Sequence, residues 1–205
     1  MIQIATFIEA LPGSILSRWA DQPPWELVTH SSERVRELLT TLDPNDYRIE
    51  GDIAVHRSAI VEPGAVLKGP LIIDAHCFVA TGAYLRGGCW VDKHCIIGPG
   101  AELKSSFMFS GSKLAHFNFV GDSVLGTGVN LEAGSIVCNY RNERADKEIK
   151  IRIDAQLLPT GCDKFGALIG DGSRLGANAV LAPGALLLPG SIIRRGSLFD
   201  AEIDE

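Results

Sequence analysis

The chain has no apolar run approaching the eighteen or more residues of a membrane-spanning helix, so none is expected among its 205 residues. It has no basic residue ahead of the short apolar stretch in MIQIATFIEALPG, and the amino terminus therefore does not read as a secretory signal. It has no C-x-x-C pair, and its five cysteines, Cys77, Cys89, Cys95, Cys138 and Cys162, are odd in number. That usage argues against a zinc site or a disulfide framework and for reduced thiols in a cytoplasmic protein. Positive charge is also in short supply: 19 Lys and Arg stand against 25 Asp and Glu, a net charge of −6, which disfavours nonspecific nucleic-acid binding. One stretch of mixed charge, with Arg141, Arg144, Lys147, Lys150 and Arg152 among Glu143, Asp146 and Glu148, reads either as a local phosphate patch or as a solvated loop.

What the chain does have is a period of six. Apolar residues recur at Val55, Val61, Leu67, Ile73, Val79, Leu85, Val91, Ile97 and Leu103, and again at Ile169, Leu175, Leu181, Leu187, Ile193 and Phe199. Six matches neither the 3.6 of a helix nor the alternation of a hairpin, so each hexad is read as one short strand and a turn, repeated and stacked. Four residues after the apolar positions come mostly small side chains, including Ala59, Ala65, Cys77, Ala83, Cys89, Cys95 and Ala101, suited to tight corners. The pattern resembles the hexapeptide repeat of left-handed parallel β-helices, in which three hexads make one triangular coil. The fold class expected is therefore an all-β, left-handed parallel β-helix with a short, partly helical N-terminal segment. By that resemblance Cys77 and Cys95 stack on successive coils, as do His76 and His94. The cysteines are read as small buried hydrophobes and the histidines as turn residues.

Residues 1–50 lack the period and are read as a partly helical cap segment. Ser31 or Ser32 is expected to cap a helix over SSERVRELLTTL, with Val35, Leu38, Leu39 and Leu42 on one face, covering the open end of the solenoid. Residues 51–205 are read as the β-helical domain. Its period stutters through KSSFMFSGSKLAHFNFVGD, resumes at Leu125, Leu131 and Val137, and breaks for an inserted loop at about 139–166. Interruptions of a repeat are where a site is expected.

The first interruption carries Gly111, Ser112, Lys113, His116, Gly121, Asp122, Val129, Asn130, Ala133, Gly134 and Asn139. This string resembles the acetyltransferase domain of the bifunctional glucosamine-1-phosphate N-acetyltransferase and N-acetylglucosamine-1-phosphate uridylyltransferase family. TGCDKFGALIGD resembles the related sugar-phosphate nucleotidyltransferases with the same carboxyl half. The resemblance spans about residues 50–200. It implies an acetyl-CoA-dependent N-acetyltransferase acting on an amino sugar phosphate such as glucosamine-1-phosphate or galactosamine-1-phosphate, working as a homotrimer without a metal. No nucleic acid or membrane partner is expected. The roughly fifty residues before the solenoid are too few for a nucleotidyltransferase domain, so a separate nucleotidyltransferase is expected to act in the same pathway.

Acetyl transfer to an amine needs a base, oxyanion donors and cations for the sugar phosphate. His116 is the expected base, since an imidazole with a pKa near ~6.5 accepts a proton at neutral pH. Arg86 and Lys104 precede it by thirty and twelve residues, the offsets of the family's phosphate-binding cations. The resemblance further implies roles for Asn139 in catalysis, for Asn118, Asn130, Lys147 and Lys150 in substrate binding, and for Ala133, Gly134, Ala177, Arg194 and Arg195 along the cofactor path. Main chain near Ala133 and Gly134 is the expected oxyanion donor, and the loop lysines are expected to reach a neighbouring subunit's substrate. Two residues depart from the family pattern. Phe119 replaces a tyrosine beside the reacting centre, and Glu132 replaces the first glycine of a G-A-G-T motif. They leave open an O-acyltransferase of a sugar or sugar nucleotide, or a non-catalytic trimeric sugar-phosphate-binding protein.

Overall fold

The computed structural model describes residues 2–203. From Ile53 onward the chain winds as a parallel β-helix of the class expected from its period. Sheet A contains Ile53–His56, Leu71–Ile73, Cys89–Val91, Phe107–Met108, Val124–Leu125, Ala167–Ile169 and Ala185–Leu187, with Tyr47–Glu50 added antiparallel at one edge. Sheets B and C each have seven strands. The strand Phe119–Gly121, with Glu102–Lys104 and Tyr84–Arg86, lies in sheet C, while Lys113–Leu114 and Asn130–Leu131 lie in sheet B. The chain visits A, B and C in turn. Side chains of successive strand residues alternate between interior and exterior, so the apolar position of each hexad meets its equivalents along the axis. Leu85, Val91, Ile97, Leu103, Met108, Leu114, Val120, Leu125, Leu131 and Val137 are all fully buried.

Register explains the stutter. Strand partners are 18 residues apart in the first coils, as in Tyr84↔Glu102, then 17 apart, as in Glu102↔Phe119 and Phe107↔Val124. Each shortened coil loses one residue at the corner from sheet C to sheet A, where Ser105 and Asp122 take up positive φ of 47° and 46°. The solenoid itself is unbroken. The second interruption is a real excursion: Val124 pairs Leu168, so this coil is 44 residues long, and it contains the hairpin Lys150–Ile153 with Gln156–Pro159.

Inward thiols and hydroxyls close the corners. Cys77 Sγ donates to Asp92 O at 3.0 Å, Cys95 Sγ to Phe109 O at 3.1 Å and Ser112 Oγ to Gly126 O at 2.6 Å, three equivalent bonds one coil apart. The cysteines thus pack as small corner residues. His76 and His94 do fall on turns, at φ of 59° and 61°, with their rings stacked 5.0 Å apart.

The N-terminal segment is placed differently from expectation. It does not cover the open end; it packs against the outer face of sheet A, where Ala54, Ile72, Trp90, Phe107, Val124 and Leu168 form a second apolar layer with Ile4, Ile8, Leu11, Leu16 and Leu27. The reason lies in the outward positions of sheet A, which are apolar and need cover. Helix α1 (Pro24–Thr29) leads into helix α2 (Ser31–Leu39), which buries Val35 and Leu38. Ser31 and Ser32 do not cap α2; both hydroxyls donate to Gly87 O at 3.1 Å. A Cβ on Gly88 would come within 2.5 Å of Ser32 N, so this corner must be glycine for the helix to seat. The end of the solenoid keeps a hollow of about 450 Å³ lined by Val55, Val61, Ala65 and Leu67, with Arg48 and Glu50 at its rim.

Candidate functional site

The corner from sheet B to sheet C gathers residues that lie far apart in sequence. Phe117 N donates to Pro99 O at 3.0 Å, Gly134 N to His116 O at 2.8 Å, Asn178 N to Ala133 O at 2.9 Å and Gly196 N to Ala177 O at 2.9 Å. His116, Ala133, Ala177 and Arg195 therefore form one column, each on the next coil. His116 is exposed. Its neighbour Phe117 is 70% exposed and sits at φ 51°, an unusual conformation for a bulky residue. The Gly134 N–H is committed to the His116 carbonyl, so of the two main-chain donors expected near an oxyanion, that of Ala133 remains.

Beside this column, on the outside of sheet B, lies a groove of about 530 Å³ lined by Asn130, Glu132, Arg174, Gly176, Arg194 and Arg195, among others. Glu132 Oε2 accepts the Ala177 N–H at 2.8 Å and lies 3.5 Å from Arg195 Nη2. The replaced glycine thus becomes a carboxylate inside a cationic groove, held by main chain. Arg174 is a groove residue that sequence spacing did not expose, because the excursion separates it by 44 residues from its row neighbour Asn130.

The opposite edge of sheet C carries the cations. Arg86 and Lys104 are direct register partners. Arg86 Nε bonds Glu102 Oε1 at 2.8 Å, and Lys104 Nζ bonds Asp122 Oδ2 at 2.6 Å. Asp122 also accepts from Asn139 Nδ2. Phe119 lies between the two corners, with Glu102 and Ile136 as its neighbours on the outer face of sheet C. The His116 corner and the Lys104 corner are separated by the three-residue strand Phe119–Gly121, which spans about 10 Å. Cys138 follows the next strand of sheet C, and burial pushes its thiol up.

Three expected residues stand apart from this surface. Asn118 is 2% exposed, and its Nδ2 donates to Glu132 O, Ser135 O and Ser135 Oγ, bracing the next coil's turn from inside. Lys147 Nζ donates to the carbonyls of Arg141 and Asn142 at 3.0 and 2.9 Å and lies over the Tyr140 ring. Lys150 opens the excursion hairpin, whose Ile149 and Ile151 pack with the N-terminal segment under Phe165. The rest of the basic stretch is structural. Arg141, 3% exposed, pairs with Asp200 at 2.6 and 2.7 Å, Arg144 pairs with Glu202, and Arg152 donates to the carbonyls of Ala201 and Glu202. The phosphate-patch alternative for Arg141 ends there.

No protein-family model matches the chain. It is 38% identical over 76 residues to a bifunctional sugar-1-phosphate nucleotidylyltransferase/acetyltransferase of Sulfurisphaera tokodaii, a match covering 37% of this chain and 18% of that one. It is 27% identical over 151 residues to the bifunctional protein GlmU of Methanococcus maripaludis, covering 72% of this chain and 36% of that one. The chain resembles these bifunctional enzymes. The matched part spans about a third or less of their length. A solved hexapeptide transferase family protein from Anaplasma phagocytophilum aligns with a TM-score of 0.42 at 18% identity, covering 72% of this chain and 73% of that one. Among the described residues no helix is long and apolar enough to cross a membrane, and no three His, Cys, Asp or Glu side chains group as metal ligands.

Proposed function

We propose that this chain is an acetyl-CoA-dependent N-acetyltransferase acting on an amino sugar phosphate of the glucosamine-1-phosphate or galactosamine-1-phosphate type. The observation that carries the reading is the flanking of one open sheet by two corners, His116 with the cofactor-path residues at one edge and the stacked Arg86 and Lys104 at the other. A sugar phosphate laid across sheet C meets cations with its phosphate and the imidazole with its amine. Acetyl-CoA fits the neighbouring groove, where Arg174, Arg194 and Arg195 outnumber the one carboxylate of Glu132 and suit an anionic nucleotide. It supplies the thioester carbonyl. The amine nitrogen bonds to that carbon as His116 takes the amine proton, the carbon–sulfur bond breaks, and the thiolate leaves to become free thiol. The Ala133 N–H is the main-chain donor for the developing oxyanion.

The relatives named as acetyltransferases support this chemistry, and the exposed outer faces of sheets B and C support a homotrimer, since Ile60, Val66, Ile192 and Leu198 are between 48% and 63% exposed there. Lys150 then completes a neighbour's site, while Lys147 is held by the carbonyls of its own loop. The protein works in the cytoplasm. A second reading, a trimeric sugar-phosphate-binding protein without turnover, draws on Phe119 and Glu132.

The experiment is thiol release from acetyl-CoA with glucosamine-1-phosphate, galactosamine-1-phosphate, the amino sugars without phosphate and the corresponding sugars that offer only hydroxyls, with calorimetry of the sugar phosphates alongside. Release that requires an amino sugar phosphate is expected. Binding with no release favours the second reading, and release with hydroxyl acceptors alone makes the protein an O-acyltransferase.

A further inference from the structure

Resting on that reading of the site, we infer that Asp122 is a positioning residue that sets both Lys104 and Asn139 for the sugar phosphate. Its carboxylate is almost wholly enclosed, with the residue 5% exposed. It receives the Lys104 ammonium at 2.6 Å and the Asn139 amide from the next coil. A surface lysine ordinarily keeps most of its rotamer freedom, which is lost when it is ordered; here the Lys104 side chain is 17% exposed and already held by the carboxylate. Asn139 spends its Nδ2 on Asp122, so its Oδ1 is the atom left to accept from a sugar hydroxyl or amine.

The corner is built to aim this group. Removal of one residue from the coil leaves Asp122 at φ 46°, a region where Asp and Asn are among the few tolerated side chains. The preceding residue is glycine because a Cβ on Gly121 would come within 2.7 Å of Asn139 Nδ2 and 2.9 Å of the Phe119 ring. The Asp122 carbonyl accepts the Gly166 N–H at 2.8 Å, which ties the returning end of the excursion to the same residue. Arg86 has its own partner in Glu102 and does not depend on this carboxylate.

Asp122→Asn tests the role, because asparagine suits the backbone and keeps the main-chain bonds while removing the charge. The expected result with glucosamine-1-phosphate as acceptor is a KM raised about tenfold or more in the folded variant, with the KM for acetyl-CoA little changed. Calorimetry with the sugar phosphate alone reads the same shift without turnover. In a Lys104→Met background, Asp122→Asn is expected to add much less than it does alone, since coupled residues are not additive. An unchanged acceptor KM and Kd, or full additivity with Lys104→Met, overturns the inference while leaving an active wild type and the site reading intact. A wild type that neither binds nor acetylates any amino sugar phosphate overturns the site reading, and the inference with it.

Discussion

Gly134 N–H donates to the carbonyl of His116 at 2.8 Å, so the candidate base is fastened by its main chain to the coil that follows it. The imidazole itself is exposed at the corner. Removal of the ring therefore leaves the hydrogen-bonded column intact. His116→Ala is expected to lower kcat by a factor of about 10²–10⁴, the usual scale of general-base catalysis, with melting within about 1 °C of wild type. A folded variant that keeps full activity removes His116 from the reaction.

Phe119 stands on the outer face of sheet C between Glu102 and Ile136, half-buried and without a hydroxyl. Phe119→Tyr adds the hydroxyl that the family resemblance implies at this position. One neutral hydrogen bond contributes about 0.5–1.5 kcal/mol, so kcat/KM with an amino sugar phosphate is expected to rise roughly two- to tenfold. Steady-state kinetics decides, and no gain means that the acceptor does not pass close to this ring.

The bridge between Arg141 and Asp200 joins the excursion to the carboxyl-terminal residues, and Arg141 holds the Asp200 carboxyl below the usual carboxylate range. A lowered folded value stabilises above the unfolded pKa of about 3.9 and is lost as pH falls through the folded value. Melts of wild type and Asp200→Asn from pH 7 to pH 3 are expected to differ most at neutral pH and to converge at the acid end. Arg141→Ala takes a buried guanidinium away from the Asp200 carboxylate and is expected to cost about 3–5 kcal/mol. Parallel profiles for wild type and Asp200→Asn speak against the linkage.

Three thiols lie in solenoid corners. Cys77, Cys89 and Cys95 are at most 1% exposed, and burial pushes the Cys89 thiol up to about 11. Native protein treated with iodoacetamide at pH 7.5 is expected to show none of the three alkylated by mass spectrometry, with slow labelling confined to Cys138 and Cys162. Fast modification of Cys89 is incompatible with this packing.

Trp90 is 2% exposed on the outer face of sheet A, its ring edge-on to Phe109 at 5.1 Å and its Nε1 donating to Asp74 Oδ2 at 2.7 Å. Trp90→Ala is expected to cost about 3–5 kcal/mol. Deletion of residues 2–42 uncovers the whole apolar layer, and aggregation by light scattering is the expected result; a soluble, monodisperse truncation shows that the segment does not cover this face.

The columns of the site explain which features were legible in advance. His116, Arg86 and Lys104 were singled out through the family resemblance, His116 by the string around it and the two cations by their offsets of thirty and twelve residues from it. The pairing of Lys104 with Asp122 was not, because this coil is one residue short and the register partner of Lys104 is Gly121, one position before the acid. Arg174 was not, because the excursion inserts between Asn130 and its neighbour on the next coil. The N-terminal segment was misplaced because hydrophobic periodicity tells which face of a helix is buried but not which surface receives it.

The sequence by itself determined the solenoid, since a period of six leaves an apolar chain few ways to bury one side chain per hexad, and it determined the residues that line the corners. The tertiary structure alone decided the rest. It turned the stutter into a tightened corner at Asp122, laid the N-terminal helices on sheet A, and committed Arg141 and Asp200 to each other. Each of these depends on surfaces made by coils distant in sequence, and neither composition nor spacing encodes such a surface before the coils have stacked.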